Sequence, residues 1–178
     1  MDEEYREIYN EFLMLLMEEE EGSGESSIEK QEPLPKVMSY MEVETMVLHL
    51  IIQLKALEAR GCSLLIWQVS DILLVNNKYY LLANLTQLVP MYKKAPDKIV
   101  LNYPAIFPFP KESCAPELLQ MAALPFITHK SVSYYSLALL CLAKLNLSLE
   151  TLQGTKLFYF LERCLKIEPS ERTLYNLL

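Results

Sequence analysis

Aspartate is nearly missing from this chain: Asp2, Asp71 and Asp97 are its only three in 178 residues, and they stand far apart. Chemistry that needs two aspartates in fixed register is therefore excluded. Glycine is almost as scarce. Two of the four glycines, Gly22 and Gly24, lie in a Glu- and Ser-rich stretch. Without a flanking strand and helix, Gly22-Ser23-Gly24 makes no phosphate cradle, and no other segment offers one. The four cysteines (Cys62, Cys114, Cys141, Cys164) include no CxxC, and His49 and His129 are distant from each other. That pattern gives no zinc site and no metal is expected. Clustered basic residues are lacking too. The net charge of -7, much of it around Glu18-Glu19-Glu20-Glu21, argues against nucleic acid and anionic membrane as partners. No long apolar run is present. Tyr134 to Leu149 is the most apolar stretch, but Lys144 and Asn146 interrupt it and it is short for a bilayer span, so a core helix fits better. Met1-Asp2-Glu3-Glu4 is acidic where a secretory signal would be basic. An intracellular, cytoplasmic protein with reduced thiols is the expectation, with the nucleus also open. The glycosylation-like triplets at Asn84 and Asn146 then read as chance.

What the chain does have is apolar mass. Hydrophobic residues make up 52%, enough for one sizeable core plus an appendage. Tyr5, Ile8, Tyr9, Phe12, Leu15 and Leu16 recur at helical spacing, so an amphipathic helix is expected from about Glu3 to Met17. A Glu/Ser/Gly-rich linker with Pro33 and Pro35 follows. The expected division is an N-terminal helix and acidic linker over 1–36 and a main domain over 37–178. Val43, Met46, Val47, Leu50, Ile51, Leu54 and Leu57 trace a second helix face from Glu42 to Arg60, with Gly61 placed to end it. Two β-rich runs, Asp71–Val75 and Lys78–Leu82, flank Asn76-Asn77, a pair that tolerates the positive φ of a tight turn, so a hairpin is expected. A long irregular stretch is expected from Asn84 to Ser113. Three helices then follow, about Pro116 to Ala122, Val132 to Leu145 and Lys156 to Lys166, with a turn or short helix near Ser170. The fold class expected is mainly α with one short hairpin.

Two segments carry a resemblance. Glu112-Ser113-Cys114-Ala115-Pro116-Glu117 is similar to the end of a protein-kinase activation segment. Cys164-Leu165-Lys166-Ile167-Glu168-Pro169-Ser170-Glu171-Arg172 is similar to the same family's late "leucine, acidic residue, proline, arginine" stretch. The order of elements from Val37 to Leu178 resembles the C-terminal lobe of protein kinases, without the small lobe and comparable in concept to the kinase non-catalytic C-lobe domain. Placed on that frame, the family's His-Arg-Asp triplet falls on Leu64, Leu65 and Ile66, its catalytic-loop lysine on Gln68, and its metal-binding asparagine on Asp71. Ala83-Asn84-Leu85 stands where Asp-Phe-Gly would be. Ser133, Tyr135 and Ala138 replace three positions of the "Asp-x-Trp-Ser-x-Gly" start of the central helix, and Ser133 could still cap that helix.

The resemblance implies a skeleton kept and a reaction lost. Ile66 cannot accept a proton from a hydroxyl, and one carboxylate at Asp71 is a poor magnesium site. The implied role is a catalytically inactive, pseudokinase-like binding or scaffold module with no ATP or other cofactor. Its partners would be proteins, such as an active kinase or another signalling protein. Two other functions stay open: a phosphotransferase completed by a partner chain, and an unrelated helical adaptor with accidental matches. The resemblance also implies a buried ion pair between Glu117 and Arg172. Trp67 either plugs the space where nucleotide would sit or is a core residue. The strip Tyr103-Pro104-Ala105-Ile106-Phe107-Pro108-Phe109 either docks a partner through Tyr103, Phe107 and Phe109, or packs its aromatics on the domain.

Overall fold

A computed structural model of the chain describes residues 31–84, 87–102 and 109–174. The expected N-terminal helix lies outside them. The described part opens with strand β1 (Gln31–Pro33) and helix α1 (Tyr40–Ala59). Ser39 starts α1 with a reciprocal cap. Its Oγ accepts from the Glu42 N–H at 3.3 Å, and its own N–H donates to Glu42 Oε2 at 2.7 Å. All seven residues of the expected stripe are buried. The helix stops at Arg60, and Gly61 turns the chain with φ of +81°, a conformation an L side chain resists.

Strand β2 (Cys62–Leu64) pairs antiparallel with β5 (Leu88–Pro90). Strands β3 (Ile72–Val75) and β4 (Tyr79–Leu82) form the hairpin, and β1 adds to β3 to give the order β1-β3-β4. Asn76 and Asn77 both hold positive φ, 52° and 54°. Lys78, expected in the second strand, belongs to the turn, because Val75 pairs with Tyr79 and the Lys78 N–H donates back to Val75 O. Strand β6 (Lys98–Leu101) pairs with β7 (Phe126–His129), and a bridge between Met91 and Ile99 joins this pair to the end of β5. Helices α2 (Pro116–Leu119), α3 (Val132–Leu145) and α4 (Lys156–Cys164) complete the described domain.

The expectation of a mainly α fold is overturned. Of the described residues, 44% are helical and 19% are in strands, with four helices and several small antiparallel sheets, which is a mixed α/β class. The stretch expected to be irregular from Asn84 to Ser113 holds β5 and β6. Strands this short carry too few residues for a period of two to show, and their partners are distant in sequence. β1, Leu34 in the core, and Pro35, whose carbonyl accepts from Lys144 Nζ, all join the packed body although they precede residue 37. Among the described residues, no helix is long and apolar enough to cross a membrane.

The main core lies between α1, α3 and α4 and takes in Trp67, Ile72, Tyr80 and Leu82. A second core gathers Leu65, Ile66, Val89, Ile99, Leu101, Phe109, Ala115, Leu118 and Val132. Helix α1 also lies along the free edge of β4. The Tyr80 N–H donates to His49 Nδ1 at 3.2 Å, Gln53 Nε2 donates to Tyr80 O at 2.8 Å, and the Leu82 N–H donates to Gln53 Oε1 at 2.8 Å. These side chains satisfy an edge that would otherwise need another strand.

His49 can accept from Tyr80 only while neutral. Burial, then the Lys78 charge, push its pKa down to about 4 from 6.5. The unfolded chain therefore binds the extra proton between these values. His49 contributes stability that is complete above about pH 6.5 and is lost as pH falls toward 4. The melting temperature is expected to drop over that window. His49→Gln, which keeps a side-chain acceptor without a titrating ring, is expected to drop less. Parallel acid melting curves for parent and variant would refute this attribution.

Candidate functional site

The loop between β2 and β3 is built as a buried strut. Ile66 is 1% exposed within the second core, and Trp67 is 1% exposed within the main one. The Trp67 N–H donates to Ser136 Oγ at 2.8 Å, and its indole Nε1 donates to Ser133 O at 3.1 Å, so the ring is a satisfied core residue pinned to the start of α3. Ser133 does not cap α3: Ser131 is the N-cap residue, and the Ser133 hydroxyl donates back to Lys130 O. Gln68 precedes a 3-10 turn, Val69–Asp71, without a side-chain cap.

Asp71 is buried at the end of that turn. Asn84 Nδ2 donates to its Oδ1 at 3.0 Å, Ser70 Oγ stands 3.4 Å from the same atom, and the Ala83 N–H donates to Asp71 O at 2.7 Å. Burial raises the Asp71 carboxyl, and the bonds from Asn84 and Ser70 partly offset that. The arrangement ties the two ends of the hairpin together. Among the described residues, no group of three His, Cys, Asp or Glu side chains could hold a metal ion. Ile66, Gln68, Asp71 and Ala83 are thus placed along one loop and hairpin, and they bring together a single carboxylate.

Glu117 and Arg172 meet directly. Arg172 Nη1 donates to Glu117 Oε1 at 2.5 Å and Nη2 donates to Oε2 at 3.0 Å, the two-pronged geometry of a guanidinium on a carboxylate. The remaining N–H groups reach main-chain carbonyls: Nε to Lys166 O at 2.7 Å, Nη2 to Ile167 O at 3.1 Å, and Nη1 to Ser131 O at 3.5 Å. The guanidinium also lies 4.8 Å from the centroid of the Tyr135 ring. The Arg172 side chain is fully buried, whereas Glu117 is 18% exposed. One side chain thereby fastens α2, the start of α3 and the segment after α4.

A constellation that the sequence did not suggest lies beside this pair. His129 Nδ1 stands 2.8 Å from Ser131 Oγ, and His129 Nε2 stands 3.7 Å from Asp97 Oδ2. The order serine, histidine, aspartate invites a nucleophilic reading. The burial of Ser131 argues against it. Its residue is fully enclosed, and its hydroxyl donates to Pro169 O at 2.7 Å, so no substrate carbonyl can reach Oγ. The set works as a joint between β7 and the 3-10 turn Pro169–Glu171. A second network missed from sequence centres on Glu58, which accepts from Lys130 Nζ at 2.7 Å and from Tyr134 OH at 2.8 Å, fixing α1 to the start of α3.

Of the aromatic strip, Tyr103 and Phe107 lie outside the described residues. Phe109 is 7% exposed and packs in the second core, so its ring is committed to the domain and is not displayed to a partner. All four cysteines are free thiols. Cys114 and Cys164 are each pushed up to about 12 and Cys141 is raised well above the ordinary thiol value, in each case chiefly by burial, which leaves these three poor nucleophiles.

No protein-family model matches this chain, and no curated protein matches it either.

Proposed function

We propose that this chain is a catalytically inactive module related to the large lobe of protein kinases, which works inside the cell by binding proteins. An active kinase or another signalling protein is the kind of partner the reading suits. The observation that carries it is a contrast within one body. The Glu117–Arg172 pair, which the resemblance assigns to the skeleton, is built with every guanidinium N–H engaged. The place assigned to the proton acceptor is held by Ile66, an apolar side chain packed into a core. An unrelated adaptor with accidental motif matches would have no reason to bring Glu117 and Arg172 together across 55 positions of sequence.

The test is nucleotide binding. Millimolar ATP with magnesium is expected to leave the melting temperature of the full chain unchanged. A ligand present at 100 times its Kd would stabilise the fold by about 2.7 kcal/mol, which melting would detect readily. A reproducible upward shift that requires both ATP and the metal would overturn the proposal.

A further inference from the structure

The net charge of -7 hides an uneven division. Residues 31–178 hold 14 basic and 12 acidic side chains, a net charge of +2, because 11 of the 23 acidic residues precede position 31. Part of this basic excess gathers at one end of the fold. The Met91 N–H donates to Gly61 O at 2.8 Å, which sets Arg60 beside the turn that follows β5. That turn carries Lys93 and Lys94, and the Tyr92 N–H closes it on Lys98 O at 2.8 Å. Lys98 then pairs with His129 across β6 and β7. Arg60, Lys93 and Lys94 are exposed and Lys98 is half-exposed. None of these four cations makes an ion pair or a side-chain hydrogen bond among the described residues. The acid among them is Asp97, whose carboxylate faces His129.

The strand that leads to this end has an open edge. Among the described elements, β7 pairs with β6 alone. Two bonds fix which way its main chain faces: the Tyr92 N–H on Lys98 O, and the Lys130 N–H on Asp97 O at 2.8 Å. On β6, therefore, Lys98 and Val100 turn their main-chain groups toward β5, and Ile99 and Leu101 turn theirs toward β7. The partners Thr128 and Phe126 take up the second set, which leaves Ile127 and His129 facing outward. Among the described residues nothing bonds to the N–H and C=O of Ile127. Its side chain is 49% exposed, and Leu124, just before the strand, is exposed as well. The open edge thus runs from an apolar end at Leu124 to a basic end at Lys98.

We propose that this edge binds an extended segment of another protein as an added strand, the segment being acidic in its N-terminal half and apolar in its C-terminal half. Main-chain bonds to Ile127 and His129 would hold the strand, and the charge and apolar ends would set its register. The order of the halves follows from antiparallel addition, the commoner pairing. A nucleic acid would engage the cations but would have no use for the main-chain edge or for Ile127. The proposal extends the protein-binding reading above to a surface and a partner class. The two fail separately, since the nucleotide test bears on the loop at Ile66 and the peptide test on the edge of β7.

Fluorescence anisotropy with the full chain tests it. The probe is a labelled peptide of acidic residues followed by alternating valine and threonine. It is expected to bind, and to bind more weakly as salt is raised. The triple substitution Lys93→Glu, Lys94→Glu and Lys98→Glu is expected to weaken binding at least about tenfold. Ile127→Pro removes an N–H that the β6 pairing does not use, and is also expected to weaken binding at least about tenfold with the melting temperature kept. Absence of binding, or parental affinity in either folded variant, would overturn the proposal. Tighter binding of a single-stranded oligonucleotide at the same salt would overturn it in favour of nucleic acid. A dimer of the chain that Ile127→Pro turns into a monomer would overturn it in favour of a second copy.

Discussion

Arg172→Ala is expected to destabilise the domain by about 3–5 kcal/mol, the cost of breaking one side of a buried ion pair. The loss has three sources. The Glu117 carboxylate would keep its charge in a mostly enclosed site without its cation. The carbonyls of Lys166, Ile167 and Ser131 would lose donors in a place water reaches poorly. The Tyr135 ring would lose the guanidinium beside it. A total of this size is a large share of the 5–15 kcal/mol that holds a typical domain folded. Arg172→Lys separates charge from geometry. A single ammonium cannot serve two carboxylate oxygens and three carbonyls in different directions, so most of the loss should remain. The double variant Glu117→Leu with Arg172→Met removes both charges and should lose clearly less than the two single variants summed. Urea unfolding of the four proteins measures all of this. A loss under about 1 kcal/mol for Arg172→Ala would mean that the pair does not hold these segments together.

That pair was legible because it rests on two short motifs, each with a marked order of residues. The apolar stripe from Val43 to Leu57 and the helix from Val132 to Leu145 were legible for a different reason. Each runs long enough for a 3.6-residue period to show. The hairpin was announced by Asn76-Asn77, whose left-handed backbone few other residues accept. The strands β2, β5, β6 and β7 had no such signal. Each is three or four residues long, and its partner comes from a remote stretch, so only the tertiary fold defines it. The cap at Ser39 was readable, since serine followed three residues later by glutamate marks a helix start, and it places the start two residues before Glu42. The roles of His49 and Gln53 were hidden. Nothing local tells a polar residue on an apolar stripe which backbone it will meet 27 or 31 positions away.

Gln53 is where that hidden role should be most costly to remove. Its amide does what a neighbouring strand would do, accepting from the Leu82 N–H and donating to Tyr80 O while only 2% exposed. Gln53→Met keeps length and volume, so it opens little cavity, but it leaves a donor and an acceptor unpaired beside a core. Each orphaned group costs about 1–3 kcal/mol, giving a combined loss of roughly 2–5 kcal/mol. Gln53→Glu probes direction. An ionised carboxylate can still accept from Leu82, but it has no proton for Tyr80 O, and the variant buries a charge with no cation assigned to it. It should therefore be at least as damaging as methionine at neutral pH, although it is nearly the same shape as glutamine. The same variants report on the edge itself. Amide exchange at Leu82 is expected to speed up in Gln53→Met and much less in Gln53→Glu, because only the second retains an acceptor for that N–H. If both variants kept parental stability to within about 0.5 kcal/mol and left Leu82 protected, another group would have to satisfy the β4 edge.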